Sequence, residues 1–297
     1  MRLKNKKQFA TAFAILAAAL YAVNVPLSKL LLSHAGTTMM AAFLYLGAGL
    51  GLMICGVIQK ASCKGQKQDP LTKKELPYTV GMVVLDILAP IFLMIGIART
   101  NSANVSLLNN FEIVATSLIA LFIFKEKISK LLWVAITLVV IASAILSFEG
   151  TGAFVFNEGS LFVLAASICW GMENNCTNKI SHKSATEIVV IKGCFSGLGS
   201  LIIAFAMGEN LPELKWLLLV LLLGFVSYGL SINFYIRAQS SLGAAKTSAF
   251  YSLAPFLGVA FGMLLLGERP GGRFYIGLLI MAVSTVLMVK DTLREEA

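Results

Sequence analysis

Charge is scarce in this chain: of its 297 residues only 13% are Asp, Glu, Lys or Arg. Histidine occurs at His34 and His182 alone, both in predicted loops, where they read as solvated side chains rather than metal ligands. The five cysteines (Cys55, Cys63, Cys169, Cys176, Cys194) include no C-x-x-C pair, and four of them fall in apolar stretches. That distribution argues against a disulfide framework and a zinc site. No Walker loop and no nucleophile constellation occurs, which argues against ATP drive and hydrolysis. Long polar segments are missing too. The longest, about residues 59–76, is too short for a second folded domain, so function must reside within or between the apolar segments.

What is abundant is hydrophobicity, at 58% of residues and a mean hydropathy of +0.83. A bilayer core of roughly 30 Å needs about 20 apolar residues per helix. Ten such stretches occur: Phe9 to Leu31, Thr37 to Ile58, Pro77 to Ala98, Val105 to Phe124, Leu131 to Phe148, Ser160 to Ile180, Ala185 to Met207, Leu214 to Ile236, Ala244 to Leu266, and Phe274 to Val289. The expected fold is an all-α membrane protein whose first partner is the lipid bilayer. Its first stretch is too long for a signal-peptide core and contains polar Asn24 and Ser28, so it reads as a span. With the N-terminus in the cytoplasm, seventeen basic residues fall on that side and five (Lys29, Arg99, Lys215, Arg269, Arg273) on the other. The positive-inside rule therefore puts both termini in the cytoplasm of a multi-pass protein of the cell membrane. It also accounts for the net charge of +9 without invoking nucleic acid.

The chain repeats itself. "LYAVNVPLSK" in the first span aligns with "CWGMENNCTN" in the sixth at a shift of 149 positions, matching Tyr21 with Trp170, Asn24 with Glu173 and Ser28 with Thr177. "FIFKEKISK" after span four and "LLLGERPGG" after span nine each put a glutamate, Glu126 and Glu268, just past a span. Arg99 and Arg237 close the third and eighth spans and read as headgroup-binding boundary residues. Two five-span halves, 9–148 and 160–289, follow. Five is odd, so the second half enters the membrane from the other side, giving a 5+5 inverted-topology repeat. Such repeats hold their substrate near the midplane and expose it to each side in turn.

These features, with the paired aromatic-small dipeptides Tyr21-Ala22 and Trp170-Gly171 and the run "RAQSSLGAAKTSAFYSLAPFLGVAFGMLLLGER", resemble the drug/metabolite transporter superfamily, EamA-like branch. The resemblance covers nearly the whole chain. It implies a secondary transporter of a small organic metabolite, often an exporter of amino acids or related solutes, with a central cavity between spans 1, 3, 4, 6, 8 and 9.

Three acids lie mid-span: Asp86, Glu112 and Glu173. A charge there costs about 2.5–3.5 kcal/mol on insertion scales, so these groups face a wet cavity or a partner, not lipid. All three are proton-coupling candidates. Lys192 lies close enough to a boundary to snorkel. Lys246 either snorkels or pairs with a cavity acid. By helical period, Asn109 lies on a polar face of span four with Glu112 at its edge, and Glu173 shares a face with Trp170 and Thr177, flanked by Asn174. Tyr21 and Asn24 form the symmetry-related stripe. If ionised, Glu173 with Glu112 favours a solute bearing an ammonium, with Trp170, Tyr21, Tyr228 or Tyr251 as aromatic faces. The substrate-binding set is thus Glu173, Glu112, Asn109, Asn24, Tyr21, Trp170, Thr177, Asn174, Tyr228, Tyr251 and Lys246. No catalytic residue, cofactor or metal is expected. The glycine pairs Gly47/Gly51, Gly193/Gly197 and Gly258/Gly262 read as close helix contacts within the chain, compatible with a monomer or weak homodimer. The alternative class is an integral-membrane enzyme acting on a lipid-soluble substrate; a channel is a weaker one.

Overall fold

Proline and asparagine decide where these helices break. The computed structural model describes residues 2–61, 69–123, 129–149, 155–242, 247 and 251–294. The first span is two helices, α1 (Arg2–Ala22) and α2 (Asn24–Leu31). Pro26 has no N–H to return to the Ala22 carbonyl and its ring crowds that carbonyl, so the helix steps at Val23. Next come α3 (Thr37–Ala61) and α4 (Leu76–Arg99). Pro90 lies inside α4 and leaves the Asp86 carbonyl without its helical donor. The fourth span is α5 (Ser102–Leu108) and α6 (Phe111–Phe122), split at Asn109–Asn110, where short amide side chains compete with the backbone ladder. The first half ends with α7 (Lys130–Ser147).

The second half holds α8 (Glu158–Ile180), α9 (Ala185–Ala206), α10 (Leu214–Gly224), a π-helical turn at Phe225–Leu230, α11 (Ser231–Leu242), α12 (Ala254–Leu266) and α13 (Gly272–Arg294). A short antiparallel ladder, Phe148–Glu149 against Val155–Phe156, closes the connection between the halves. Spans one and four are therefore each two helices, and span eight carries a π-helical turn. Five segments remain both long and apolar enough to cross a bilayer: Phe9–Leu31, Thr37–Ile58, Lys73–Arg99, Ala185–Ala206 and Leu214–Gln239. The sixth span, α8, is long enough but carries the amides and charges of "ENNCTNK".

Packing follows the repeat. Span two packs on span seven (α3 on α9), five on ten (α7 on α13) and four on nine (α5 on α12), each pair mapping onto itself when the halves are exchanged. Spans three and six (α4, α8) correspond in the same way to spans eight and one (α11, α1). Direct bonds fix the opposite insertion. Glu209, at the end of span seven, accepts from the Thr38 and Met39 amides at the start of span two, at 3.1 and 2.6 Å. Glu268, at the end of span nine, accepts from the Ser102 and Ala103 amides at the start of span four, at 2.9 and 3.0 Å. Ser129, just before span five, donates to Asp291 near the end of span ten at 2.5 Å. Each symmetric pair thus joins a start to an end, as antiparallel partners must. The protein is an all-α membrane fold of ten spans in a 5+5 inverted repeat.

The repeated glutamate past spans four and nine has, at Glu268, the helix-terminus role its position implies; Glu126 lies outside the described residues. Arg99 does not stand free for a headgroup: it pairs with Glu158 at 2.9 Å and stacks over Phe162. Arg237 donates to Asn233 at 2.7 Å. Outward faces are apolar, as at Leu264, Ile202 and Leu279, whereas Asn24, Ser28, Asp86, Glu173 and Lys192 are buried.

The glycines work inside the chain. A Cβ on Gly193 would sit 2.3 Å from the Gly49 amide nitrogen and 2.7 Å from the Tyr45 carbonyl oxygen, both backbone atoms of α3 that cannot step aside. Gly193→Ala should therefore cost roughly 1–3 kcal/mol by overpacking. Gly56→Ala, whose new methyl meets only Thr186 Cγ2 at 3.6 Å, is the neutral control. Thermal unfolding in detergent reads both.

Candidate functional site

Two polar clusters lie side by side where the broken spans meet. The first is ionic. Asp86 on α4, one turn before Pro90, and Glu173 on α8 both reach Lys192 of α9. Lys192 Nζ lies 3.1 Å from Asp86 Oδ2 and 2.9 Å from Glu173 Oε1. The three residues are 0%, 2% and 4% exposed, so the ammonium does not snorkel. That corrects the expectation for Lys192: its stem points inward, because two acids there offer more than a distant boundary does. Tyr45 of α3 donates to Asp86 Oδ1 at 2.7 Å, Trp170 Nε1 donates to Tyr45 Oη at 3.4 Å, and Thr177 donates to Glu173 Oε1. Desolvating ions costs several kcal/mol each, and only such pairing and hydrogen bonding offsets it.

The second cluster is aromatic and acidic. Asn174 Nδ2 donates to Glu112 Oε1 at 2.5 Å and lies 3.5 Å from Thr116 Oγ1. Within electrostatic reach of Glu112 stand Tyr21, Tyr228 and Tyr251. The Tyr21 ring meets Tyr228 edge-on at 5.9 Å and Tyr251 at 5.6 Å. Tyr228 sits in the π-helical turn, where such insertions commonly re-aim a side chain at a site. Its hydroxyl accepts from Asn24 Nδ2 at 3.2 Å, and Ser28 donates to Asn24 Oδ1 at 3.1 Å. The rings of Tyr45 and Tyr228, 5.1 Å apart, connect the clusters.

Beside Tyr21 a pocket opens between spans one, four and nine, lined by Tyr21, Val25, Ser106, Asn109, Pro255 and Gly258. Ser106 Oγ and Asn109 Oδ1 are buried there without a hydrogen-bond partner. Buried polar atoms are normally satisfied, so these two atoms on one wall of a small cavity make it a candidate binding site.

The structure thus brings Glu173, Thr177 and Asp86 together, pairs Glu112 with Asn174, and gathers Tyr21, Tyr228 and Tyr251, with Asn24 behind Tyr228 and Asn109 in the pocket. Trp170 is buried behind Tyr45 and presents its indole to the ionic cluster. Lys246 lies outside the described residues. Sequence reasoning missed Tyr45, since a lone tyrosine in "AAFLYLG" has no polar neighbour to betray it. Among the described residues, no group of three or more His, Cys, Asp and Glu side chains is arranged to hold a metal ion.

This arrangement accompanies a match to known proteins. Residues 8–148 and 157–290 each match the EamA-like transporter family. The chain belongs to that family. An uncharacterized transporter of Methanothermobacter thermautotrophicus is 24% identical over 271 residues, covering 86% of this chain and 78% of its own. A permease-like protein of Bacillus subtilis (strain 168) is 30% identical over 73 residues, which is 25% of this chain and 94% of that protein. One solved crystal structure superposes with a TM-score of 0.71 at 14% identity, over 97% of this chain and 98% of its own, a likeness of fold. As an EamA-like protein, the chain is a multi-pass membrane transporter of a small molecule.

Lys192→Met leaves two buried acids without their cation. It should destabilise this EamA-like protein by about 3–5 kcal/mol at neutral pH. The deficit against wild type should shrink as pH falls, because protonated acids need no counter-charge. Thermal unfolding in detergent across a pH series measures both.

Proposed function

We propose that this protein is a secondary transporter that exports a small organic solute bearing an ammonium group, by alternating access. The carrying observation is the surplus of acceptors at the meeting of spans one, four and nine. Glu112 stands within electrostatic reach of a group of three tyrosines, and Ser106 Oγ and Asn109 Oδ1 lack donors. An ammonium supplies three donors and a positive charge, and aromatic faces attract cations by about 0.5–2 kcal/mol each. Glu173 is already engaged by Lys192 and Thr177, which leaves Glu112 as the acid that meets the solute.

The halves 9–148 and 160–289 interleave, each span of one packing on a span of the other, so alternating access moves spans past their cross-half partners around the site. Helices interrupted at Val23, Asn109–Asn110 and Phe225–Leu230 supply irregular backbone only where it lines an interior, as inverted-repeat transporters require. The seventeen-to-five distribution of basic residues supports cytoplasmic termini in the plasma membrane. Outward direction rests on the family resemblance. The transporting unit is a single chain, and no chemical step on the solute is required.

Purified protein in liposomes should show saturable counterflow of a labelled solute in a screen of amino acids, polyamines and quaternary amines, with the solute recovered unaltered. Glu112→Gln should raise the half-saturating concentration of the winning amine at least tenfold, equivalent to about 1.4 kcal/mol. Preference for an anionic or neutral solute would overturn the ammonium reading, and chemical conversion of the solute would replace transport by catalysis.

A further inference from the structure

The charges of the ionic cluster do not cancel. With Asp86 and Glu173 both ionised, Lys192 supplies one positive charge against two negative. The other groups facing it are Tyr45 from α3, Cys169, Trp170, Cys176 and Thr177 from α8, Glu112 from α6 and Tyr228 from the π-helical turn. Among these described residues none is a second cation. A buried cluster with one uncompensated charge is strongly disfavoured. Two carboxylates on a common cation relieve it by binding one proton between them, and that proton belongs to the pair rather than to either residue.

We propose that Asp86 and Glu173 share one exchangeable proton, with Lys192 as the fixed cation between them, and that this shared proton drives the transport proposed above. The proposal rests on that transport reading for its role but not for its chemistry. In the occluded form the cluster is an ammonium, a carboxylate and a carboxylic acid, neutral overall. The step is a carboxylate plus a proton giving a carboxylic acid, with one O–H bond formed on one side of the membrane and broken on the other. No other reactant enters.

The geometry explains how motion reaches the proton. Asp86 and its partner Tyr45 belong to the first half, whereas Glu173, Lys192 and Trp170 belong to the second. Any shift of α4 against α8 and α9 changes the separation of the two acids, and with it their joint affinity for the proton. Water admitted on the open side then takes the proton or delivers it. Lys192 stays charged throughout, because at every stage it keeps one ionised acid.

The consequence is unusual for a proton carrier: removing either acid has the same effect. In Asp86→Asn, Glu173 pairs with Lys192 as a neutral ion pair with no proton to exchange, and in Glu173→Gln, Asp86 does the same. Infrared spectroscopy of the protein in lipid, in a Glu112→Gln background so that Glu112 does not contribute, should detect one protonated carboxyl at neutral pH. The band should vanish in both acid variants. In proteoliposomes, each single acid variant should lose pH-gradient-driven flux and keep counterflow. A carboxyl band that survives in either variant overturns the shared proton. So does gradient-driven flux that survives in either. Loss of counterflow in one acid variant would assign that acid to the solute and overturn its role as carrier. If wild-type protein moved no solute at all, the transport reading would fall, while the infrared result, which needs no solute, would still decide whether the proton is shared.

Discussion

A charge inside a bilayer must be answered from within the protein, and this fold is organised around that demand. Lys192 and its two acids tie α4, α8 and α9 together, with Tyr45 of α3 tied in through its hydroxyl. The same demand explains why the molecule is polar at its centre and apolar on its outer faces. In lipid there is no hydrophobic drive to press helices together, so close backbone contact at glycines such as Gly193 and matched polar groups must do it.

The interruptions in the helices serve the same centre. Pro26, Asn109–Asn110, the π-helical turn and Pro90 each release backbone groups that lipid would not tolerate. They occur where the two halves face one another. A candidate-site side chain lies at each: Asn24 follows the first break, Glu112 follows the second, Tyr228 sits in the third, and Asp86 precedes the proline of the fourth. Their counterparts in the other half are not copies. The repeat preserves the packing of spans while the chemistry diverges, as Asn24 against Glu173 illustrates.

Much of this was legible beforehand because it rests on periodicities. The odd number of spans per half and the one-face relation of Glu173 and Thr177 are local or repetitive, and the structure has them as expected. The partner of Lys192 was not legible, since a pairing of residues 106 positions apart leaves no trace in spacing. Distance to a boundary suggested snorkelling, but packing turned the stem inward. Tyr45 escaped notice for the same reason. The helix breaks lay in plain view as Pro26 and paired asparagines, but hydropathy averages over such residues. Glu112 was legible as costly, though its amide partner Asn174 comes from a helix on the other half.

Glu209 and Glu268 carry a consequence for motion. Both lie past odd-numbered spans of the second half and clasp helix starts of the first, so they fasten the two halves at one and the same face. A greasy seal there would resist every parting by exposing hydrocarbon to water. A carboxylate resting on amide hydrogens finds water in their place when it parts from them, so each such bond resists by only about 1.5–3 kcal/mol net. The fastening is therefore polar and reversible rather than greasy.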